Sequence, residues 1–363
     1  PSTTDDYLLD GLSPGDLYRY ARTCKNAHEA VASFVRRHFH LHNLLRRYFK
    51  PDDIVAFRRL QCVTGMLISG STALQFFERV IYPESDLDLY VEHHQRYIIS
   101  EWLESIGYRY TPPATYPDET LEEALDLFPD ERSEELFYET SQKGYPGVTI
   151  ILNFEKSEPH RKIQLITTHH STLQMVLNFH SSEILHLLRS FFTDTLTLAA
   201  CVMNIITHEK AYSLYPRGTF DERRSLLYLP LRNDRRLLSA ATKYAARGWQ
   251  IVHKISKDES NNPRSAFSHG KRYLGDGKCW TLPIFPKLDF PPSNIEANSW
   301  ALLYDADLVP NMASTVFTSP KLRYGYLIAD EPLRNYISCL SIALDEKFEG
   351  EQYVGPSFMW YGY

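Results

Sequence analysis

Apolar positions in the first sixty residues recur at helical spacing. Leu8, Leu9, Leu12, Leu17, Tyr20 and Ala21 form one such run, interrupted by Ser13-Pro14-Gly15-Asp16, which suits a break and a cap between two short helices. A second run passes from Val31 through Phe34 and Phe39 to Leu44, Leu45 and Tyr48. Pro51-Asp52-Asp53 then opens a further helix, with proline at an early position and acids at the positive end of the dipole. From residue 65 the period changes. Met66-Leu67-Ile68 is short and apolar enough for a buried strand that runs into Gly70-Ser71, and helical spacing returns over 72–80, with Ala73, Leu74, Phe76 and Phe77 inward. Asp86-Leu87-Asp88-Leu89-Tyr90-Val91 alternates with period two, as a strand does. An amphipathic helix is predicted from His94 to Ile106, and a strand at Tyr108-Arg109-Tyr110.

Residues 111–145 are acidic and proline-rich and read as an inserted excursion. Val148 to Phe154 and Lys162 to Thr167 predict a hairpin-like pair of strands, joined by the polar turn Glu155 to Arg161. Helices are then predicted over Leu173 to Leu188, Leu196 to His208, Arg235 to Ile255 and 331–347, around an irregular, proline-rich stretch at 256–300. So many rings in the tail from Tyr353 to Tyr363 are expected to pack against something. These patterns divide the chain into a helical N-terminal cap (1–60), a core (61–170) and a mainly helical C-terminal region (171–363). The fold class expected is α+β, a small mixed sheet with flanking helices.

Composition narrows the class without changing this picture. Apolar residues make up 43% of the 363, charged residues 23% and aromatics 13%, which suits a packed globular chain and excludes a disordered one. The net charge of -6 disfavours a protein that coats long nucleic acid, although Arg36-Arg37, Arg46-Arg47, Arg223-Arg224 and Arg235-Arg236 form local basic pairs that suit solvated helix faces. The five cysteines, Cys24, Cys62, Cys201, Cys279 and Cys339, have no paired spacing and fit buried thiols in a reducing compartment better than a disulfide frame or zinc site. No stretch has the length of uncharged apolar sequence that spans a membrane. The opening Pro-Ser-Thr-Thr-Asp-Asp is not a signal peptide, and its first residue suggests a trimmed chain. An intracellular protein, cytoplasmic or nuclear, is expected.

The candidate chemistry lies where a strand runs into Gly70-Ser71 and a helix, followed by a strand carrying Asp86 and Asp88. Glycine lets the backbone approach a phosphate, and hydroxyl and N–H groups at a helix start can hold its oxygens. Two aspartates one residue apart on a strand face the same way, while Leu87 and Leu89 face the other. Adjacent carboxylates are costly unless a cation sits between them; with Mg²⁺ they can clamp a nucleoside triphosphate.

Ile68-Ser69-Gly70-Ser71 followed by Ser85-Asp86-Leu87-Asp88-Leu89 resembles the polymerase-β nucleotidyltransferase superfamily, and is similar to a fungal group with this same core. The resemblance covers roughly residues 62–170. It implies that Gly70 and Ser71 hold phosphates and that Asp86 and Asp88 bind Mg²⁺ or Mn²⁺. It further implies transfer of a nucleoside monophosphate from a nucleoside triphosphate to a hydroxyl on a small molecule, a protein or an RNA end. Two features depart from the superfamily. The spacer between the motifs is longer than usual, and the later strand that normally carries a third carboxylate has Gln164 there, which can orient a hydroxyl but not carry a proton away. Glu155 or Glu158, in the preceding turn, are substitutes or solvated turn residues. Lys210 and Arg223 are candidates for neutralising the triphosphate, or ordinary surface charges. The neighbours within His93-His94 and His169-His170 cannot both face one metal from a strand and read as structural or exposed.

The segment from Leu12 to Lys25 is also similar to the latter part of an F-box, whose short leucine-bearing helices bind a Skp-type adaptor of ubiquitin ligases. A rival expectation is therefore a catalytically inactive nucleotidyltransferase fold that serves as a binding or adaptor protein.

Overall fold

A computed structural model describes residues 4–83, 85–114, 116–126, 148–169, 171–178, 200–227, 242–317, 324–337, 339 and 358–359. Five helices come first: α1 (Thr4–Asp10), α2 (Pro14–Ala21), α3 (Lys25–His38), α4 (Leu41–Leu45) and α5 (Pro51–Thr64). Their boundaries follow from local chemistry. Ser13 caps α2 by accepting from the Asp16 N–H, with Pro14 in its first turn. Lys50 precedes Pro51 at the start of α5, whose end is set by Gly65 at φ 69°.

The strands that follow are β1 (Leu67–Ser69), β2 (Leu87–Glu92), β3 (Arg109–Thr111), β4 (Val148–Ser157), β5 (His160–Thr168), β6 (Asn204–Ile206), β7 (Lys210–Ser213), β8 (Arg224–Leu226), β9 (Gln250–Val252), β10 (Gly270–Tyr273) and β11 (Trp280–Pro283). Between them lie α6 (Gly70–Glu78), α7 (Arg96–Ser105), α8 (Leu121–Asp126), α9 (Thr172–Asn178) and α10 (Lys257–Asn261). Eight strands form one mixed sheet in the order β11-β7-β6-β1-β2-β5-β4-β3. Only β2 and β5 in it run parallel. The protein is thus a mixed α/β fold with helices flanking the sheet.

Strand alternation sorts the sheet into two faces. Ile68, Leu87, Leu89, Val91, Leu152, Phe154, Ile163 and Leu165 join one core cluster with Phe34, Leu45, Phe49 and Phe57 of the N-terminal helices. Leu67, Tyr90 and Ile166, pointing the opposite way, join a second cluster with Leu173, Val176, Trp300 and Leu327. Asp88 and Gln164, two positions from Tyr90 and Ile166, share this second face, and Asn153 is the strand partner of Gln164.

The expected hairpin is β4–β5, with both strands longer than their apolar runs because polar residues at their tips also pair, out to Ser157↔His160. The sheet is larger than expected and the C-terminal region is not mainly helical in its described part. Leu196 to His208 was expected as a helix; its described residues form a 3₁₀ turn, Ala200–Val202, and then β6. All three residues of β6 are buried, Asn204 included, and a strand this short is too brief to show a period of two. The stretch 256–300 contains α10, β10 and β11, and 250–252, expected within a helix, is β9. Of the other expected helices, 172–178, 242–246 and 331–337 are helical. Residues 127–147, 179–199 and most of the aromatic tail lie outside the described residues. Among the described residues no helix is long and apolar enough to cross a membrane.

Candidate functional site

Gly70 begins α6 at φ 65°, a backbone that glycine adopts without strain. A Cβ there would lie 2.2 Å from Asp88 Oδ2, so the glycine is needed for space as well as for its torsion. The register explains the approach: Ser69 is the Cα partner of Asp88, which brings the end of β1 over the start of β2. Ser69 at the cap position makes no side-chain bond to the helix start, because its hydroxyl donates to Asn204 O of β6 at 2.7 Å. The first N–H groups of α6 therefore do not spend themselves on that side chain. The Thr72 hydroxyl donates to Asp86 O at 2.7 Å and ties the first turn of α6 to the entry of β2.

The two carboxylates sit in different surroundings. Asp88 is 3% exposed and its Oδ1 has no hydrogen-bond partner. Burial, then the charge of Asp86, pushes its carboxyl up to about 8. Asp86 is half-buried, and burial raises its carboxyl too, opposed by Lys162 and Lys243. Lys162 Nζ is 3.9 Å from Asp86 Oδ2. Lys243, in the helical segment 242–246, was not singled out from the sequence; it acts electrostatically on both carboxylates. Only tertiary structure brings it there.

Gln164 stands beside Asp88 as its parallel partner on β5. Its Nε2 donates to Asn153 Oδ1 at 2.9 Å, and Asn153 is its partner on β4. The row Asp88, Gln164, Asn153 thus crosses three strands, with an amide pair beside the carboxylate. Asn153 also escaped the sequence reading, since only the hairpin register aligns it with Gln164. Glu155 is the strand partner of Lys162 and lies within electrostatic reach of Asp86, while its Oε2 is 3.7 Å from His160. Glu158 is exposed in the turn.

Lys210 and Arg223 are not brought to this cluster. Lys210 is the first residue of β7, where Thr207 N donates to its carbonyl, and its ammonium pairs with Glu296 at 2.8 Å. Arg223 pairs with Glu78 at the far end of α6, and its guanidinium lies 4.0 Å from the centre of the Trp249 ring. Among the basic pairs, Arg224 bonds Glu259 and Glu222, and Arg235-Arg236 lies outside the described residues. His93 bonds the Thr167 hydroxyl at 2.9 Å and lies against His169, whereas His94 turns toward Glu92. His170 lies outside the described residues.

The donor set fits a divalent cation of the hard, oxygen-seeking kind. Mg²⁺ is typically held by one or two carboxylates, with waters and substrate phosphates completing its shell. Asp86 and Asp88 supply that number, and the buried, unpartnered Oδ1 of Asp88 is a group such an ion would satisfy. Among the described residues no group of three or more His, Cys, Asp or Glu side chains could hold a metal. A cavity lined by Gln61, Leu67, Thr207, His208, Pro291 and Tyr324 opens at the other end of β1. Concavity and carboxylate chemistry therefore disagree about the site, and the assignment to Asp86 and Asp88 follows the chemistry. No family model, curated protein or solved structure matches the chain.

Proposed function

We propose that this protein is a nucleotidyltransferase-like enzyme of the polymerase-β kind, which binds a nucleoside triphosphate with Mg²⁺ at Gly70, Ser71, Asp86 and Asp88. It would transfer the nucleoside monophosphate to a hydroxyl on a small molecule, a protein or an RNA end. The observation that supports this most is the contact of Gly70 with Asp88, whose buried Oδ1 has no partner. The bound cation would neutralise the carboxylate pair and polarise the phosphates. The N–H groups of the first turn of α6 would hold phosphate oxygens. Lys162 and Lys243, already beside the carboxylates, add positive charge for the triphosphate. The acceptor oxygen would bond to the α-phosphorus as the bond to pyrophosphate breaks. Gln164 would orient the acceptor, and its proton would leave to water or to a phosphate oxygen, since an amide takes none at neutral pH. The net charge of -6 favours a small or short acceptor over a long nucleic acid. Free thiols at all five cysteines suit an intracellular setting, cytoplasmic or nuclear.

A second reading rests on a different observation. The Gln164–Asn153 pair stands where the superfamily has its third carboxylate, and Tyr7, Leu8, Tyr18 and Tyr20 are exposed on α1 and α2. Both suit an inactive fold that serves as an adaptor, with a Skp-type partner on those helices. A thermal-shift panel of four nucleoside triphosphates, with and without Mg²⁺, separates the readings. The transferase reading expects one Mg²⁺-dependent stabilisation of about 2.7 kcal/mol at a hundredfold excess over Kd, lost in Asp86→Asn/Asp88→Asn. Transfer of a label from the α-phosphate would then identify the acceptor. No shift with any triphosphate, together with a co-purifying Skp-type protein, would leave the adaptor.

A further inference from the structure

Asp86 lies one residue before β2, outside its ladder; its carbonyl accepts from the Thr72 hydroxyl at 2.7 Å, and the described residues of the loop before it, Arg79 to Pro83 and Ser85, contain no helix or strand. Two cap residues reach into this loop alongside Gln75 and Glu78 of α6. Arg47 and Tyr48 occupy the turn after α4. The Tyr48 hydroxyl donates to Ser85 O at 2.7 Å, the carbonyl next to Asp86. Arg47 donates through Nη2 to Tyr82 O at 2.9 Å and Pro83 O at 3.1 Å, and through Nη1 to Gln75 Oε1 at 3.0 Å. Gln75 relays the contact into the loop. Its Oε1 also accepts from Tyr82 N at 2.7 Å, and its Nε2 donates to the Ser85 hydroxyl at 2.9 Å. The turn is itself anchored to the core. Arg161 donates to Arg47 O at 2.6 Å, and the Tyr108 hydroxyl to Tyr48 O at 2.8 Å.

We propose that Arg47 and Tyr48 are positioning residues for the carboxylate pair, so that the N-terminal cap is a working part of the site. This rests on the reading of Asp86 and Asp88 as cation ligands. Asp88 is placed by the ladder of β2, whereas Asp86 is held by Thr72 at its own carbonyl and by a preceding loop whose carbonyls are gripped by two side chains of the cap. Ligands must be held to about half an ångström to bind an ion well, and outer groups that orient them change metal affinity by about 10–100-fold when removed. The bonds of Arg47 and Tyr48 go to Ser85, Gln75, Thr72 and the loop carbonyls, so each would act on the carboxylates through these groups.

The test is titration of the full chain with Mn²⁺ alone, followed by electron paramagnetic resonance of the free ion. Amide hydrogen exchange of the loop is measured in parallel. Tyr48→Phe removes one oxygen and leaves the buried ring, which keeps the test informative should Arg47→Met fail to fold. Arg37→Met is the control: Arg37 bonds Asp6 and Ser33 within the same cap but does not reach the loop. The expected result is a Kd for Mn²⁺ raised about tenfold in Tyr48→Phe and Arg47→Met. Exchange should be faster in residues 80–86, and Arg37→Met should bind as the wild type does. Unchanged affinity in both loop variants would overturn the proposal while leaving the cation site intact. An equal loss in Arg37→Met would overturn it too, by reducing the effect to general loosening of the cap. A wild type that binds no Mn²⁺ would remove the parent reading, and this inference with it.

Discussion

At Gly70 two constraints act on one atom position. The torsion of 65° excludes most side chains at a cost of about 1–2 kcal/mol, and the space a methyl would need is filled by Asp88 Oδ2 at 2.2 Å. Gly70→Ala is therefore expected to lower stability by at least about 2 kcal/mol and to displace the Asp88 carboxylate. Denaturant midpoints would show the first effect, and loss of Mn²⁺ binding the second. A variant as stable as the parent would mean that β1 and β2 do not meet there. Elsewhere on β2, Glu92 is buried and accepts from Gly325 N at 2.7 Å. Burial pushes its carboxyl up to about 7, against the effect of that hydrogen bond. A carboxyl whose pKa rises on folding contributes its stability below about pH 4.5 and loses it as pH climbs to about 7. The loss reaches about 3 kcal/mol, and Glu92→Gln should flatten the stability–pH curve across that window. An unaltered slope would show that Glu92 is ionised in the fold at the lower pH.

Element geometry decides what Gln164 can do. The parallel pairing of β2 with β5 sets it beside Asp88, and the β4–β5 hairpin hands it Asn153 as a partner. Gln164→Glu would put a third carboxylate into this row without moving the backbone. In chelator the variant should be destabilised, on the order of 3 kcal/mol, by an uncompensated buried charge. Mg²⁺ should then stabilise it more than the parent, and label transfer should rise. Equal melting points with and without Mg²⁺ would count against a cation between these strands. Much of this was legible in the chain. The alternation of Leu87 and Leu89 with Asp88, and the short apolar run into Gly70-Ser71, already pointed to β1, α6 and β2, although Asp86, expected on the strand, lies one residue before it. Lys243 and Asn153 were not legible, because their nearness comes from segments far apart in sequence. Nor were β6 and β7, whose few residues are nearly all buried and carry too little polar contrast to show a period. The placement of Lys210 and Arg223 was not legible for a related reason: their charges were visible in sequence, but not their partners Glu296 and Glu78.

Across the whole molecule, the N-terminal helices and the sheet share one core. Phe34, Leu45, Phe49 and Phe57 pack in the same cluster as Leu87, Leu89, Ile163 and Leu165. Removing residues 1–50 would take Phe34, Leu45 and Phe49 out of that cluster and expose the apolar surface they cover. The truncated chain is expected to lose fixed tertiary structure, seen as loss of near-ultraviolet circular dichroism and gain of dye binding. Retention of a cooperative melt would show that the cap is an independent unit.

The strand order also sets a timetable. One neighbour of β1 is β2, close behind it in sequence; the other is β6, where Ile68 meets Ile206, and the sheet is not complete until β11 joins β7. While the chain is being synthesised, at about 5–20 residues per second, the strand that ends in Ser69 has one open edge for many seconds. Pairing across such separations is slow, and an unpaired apolar edge invites a neighbouring chain to take the vacant position. Nascent chains stalled before residue 206 should therefore depend on chaperones more than the released chain does.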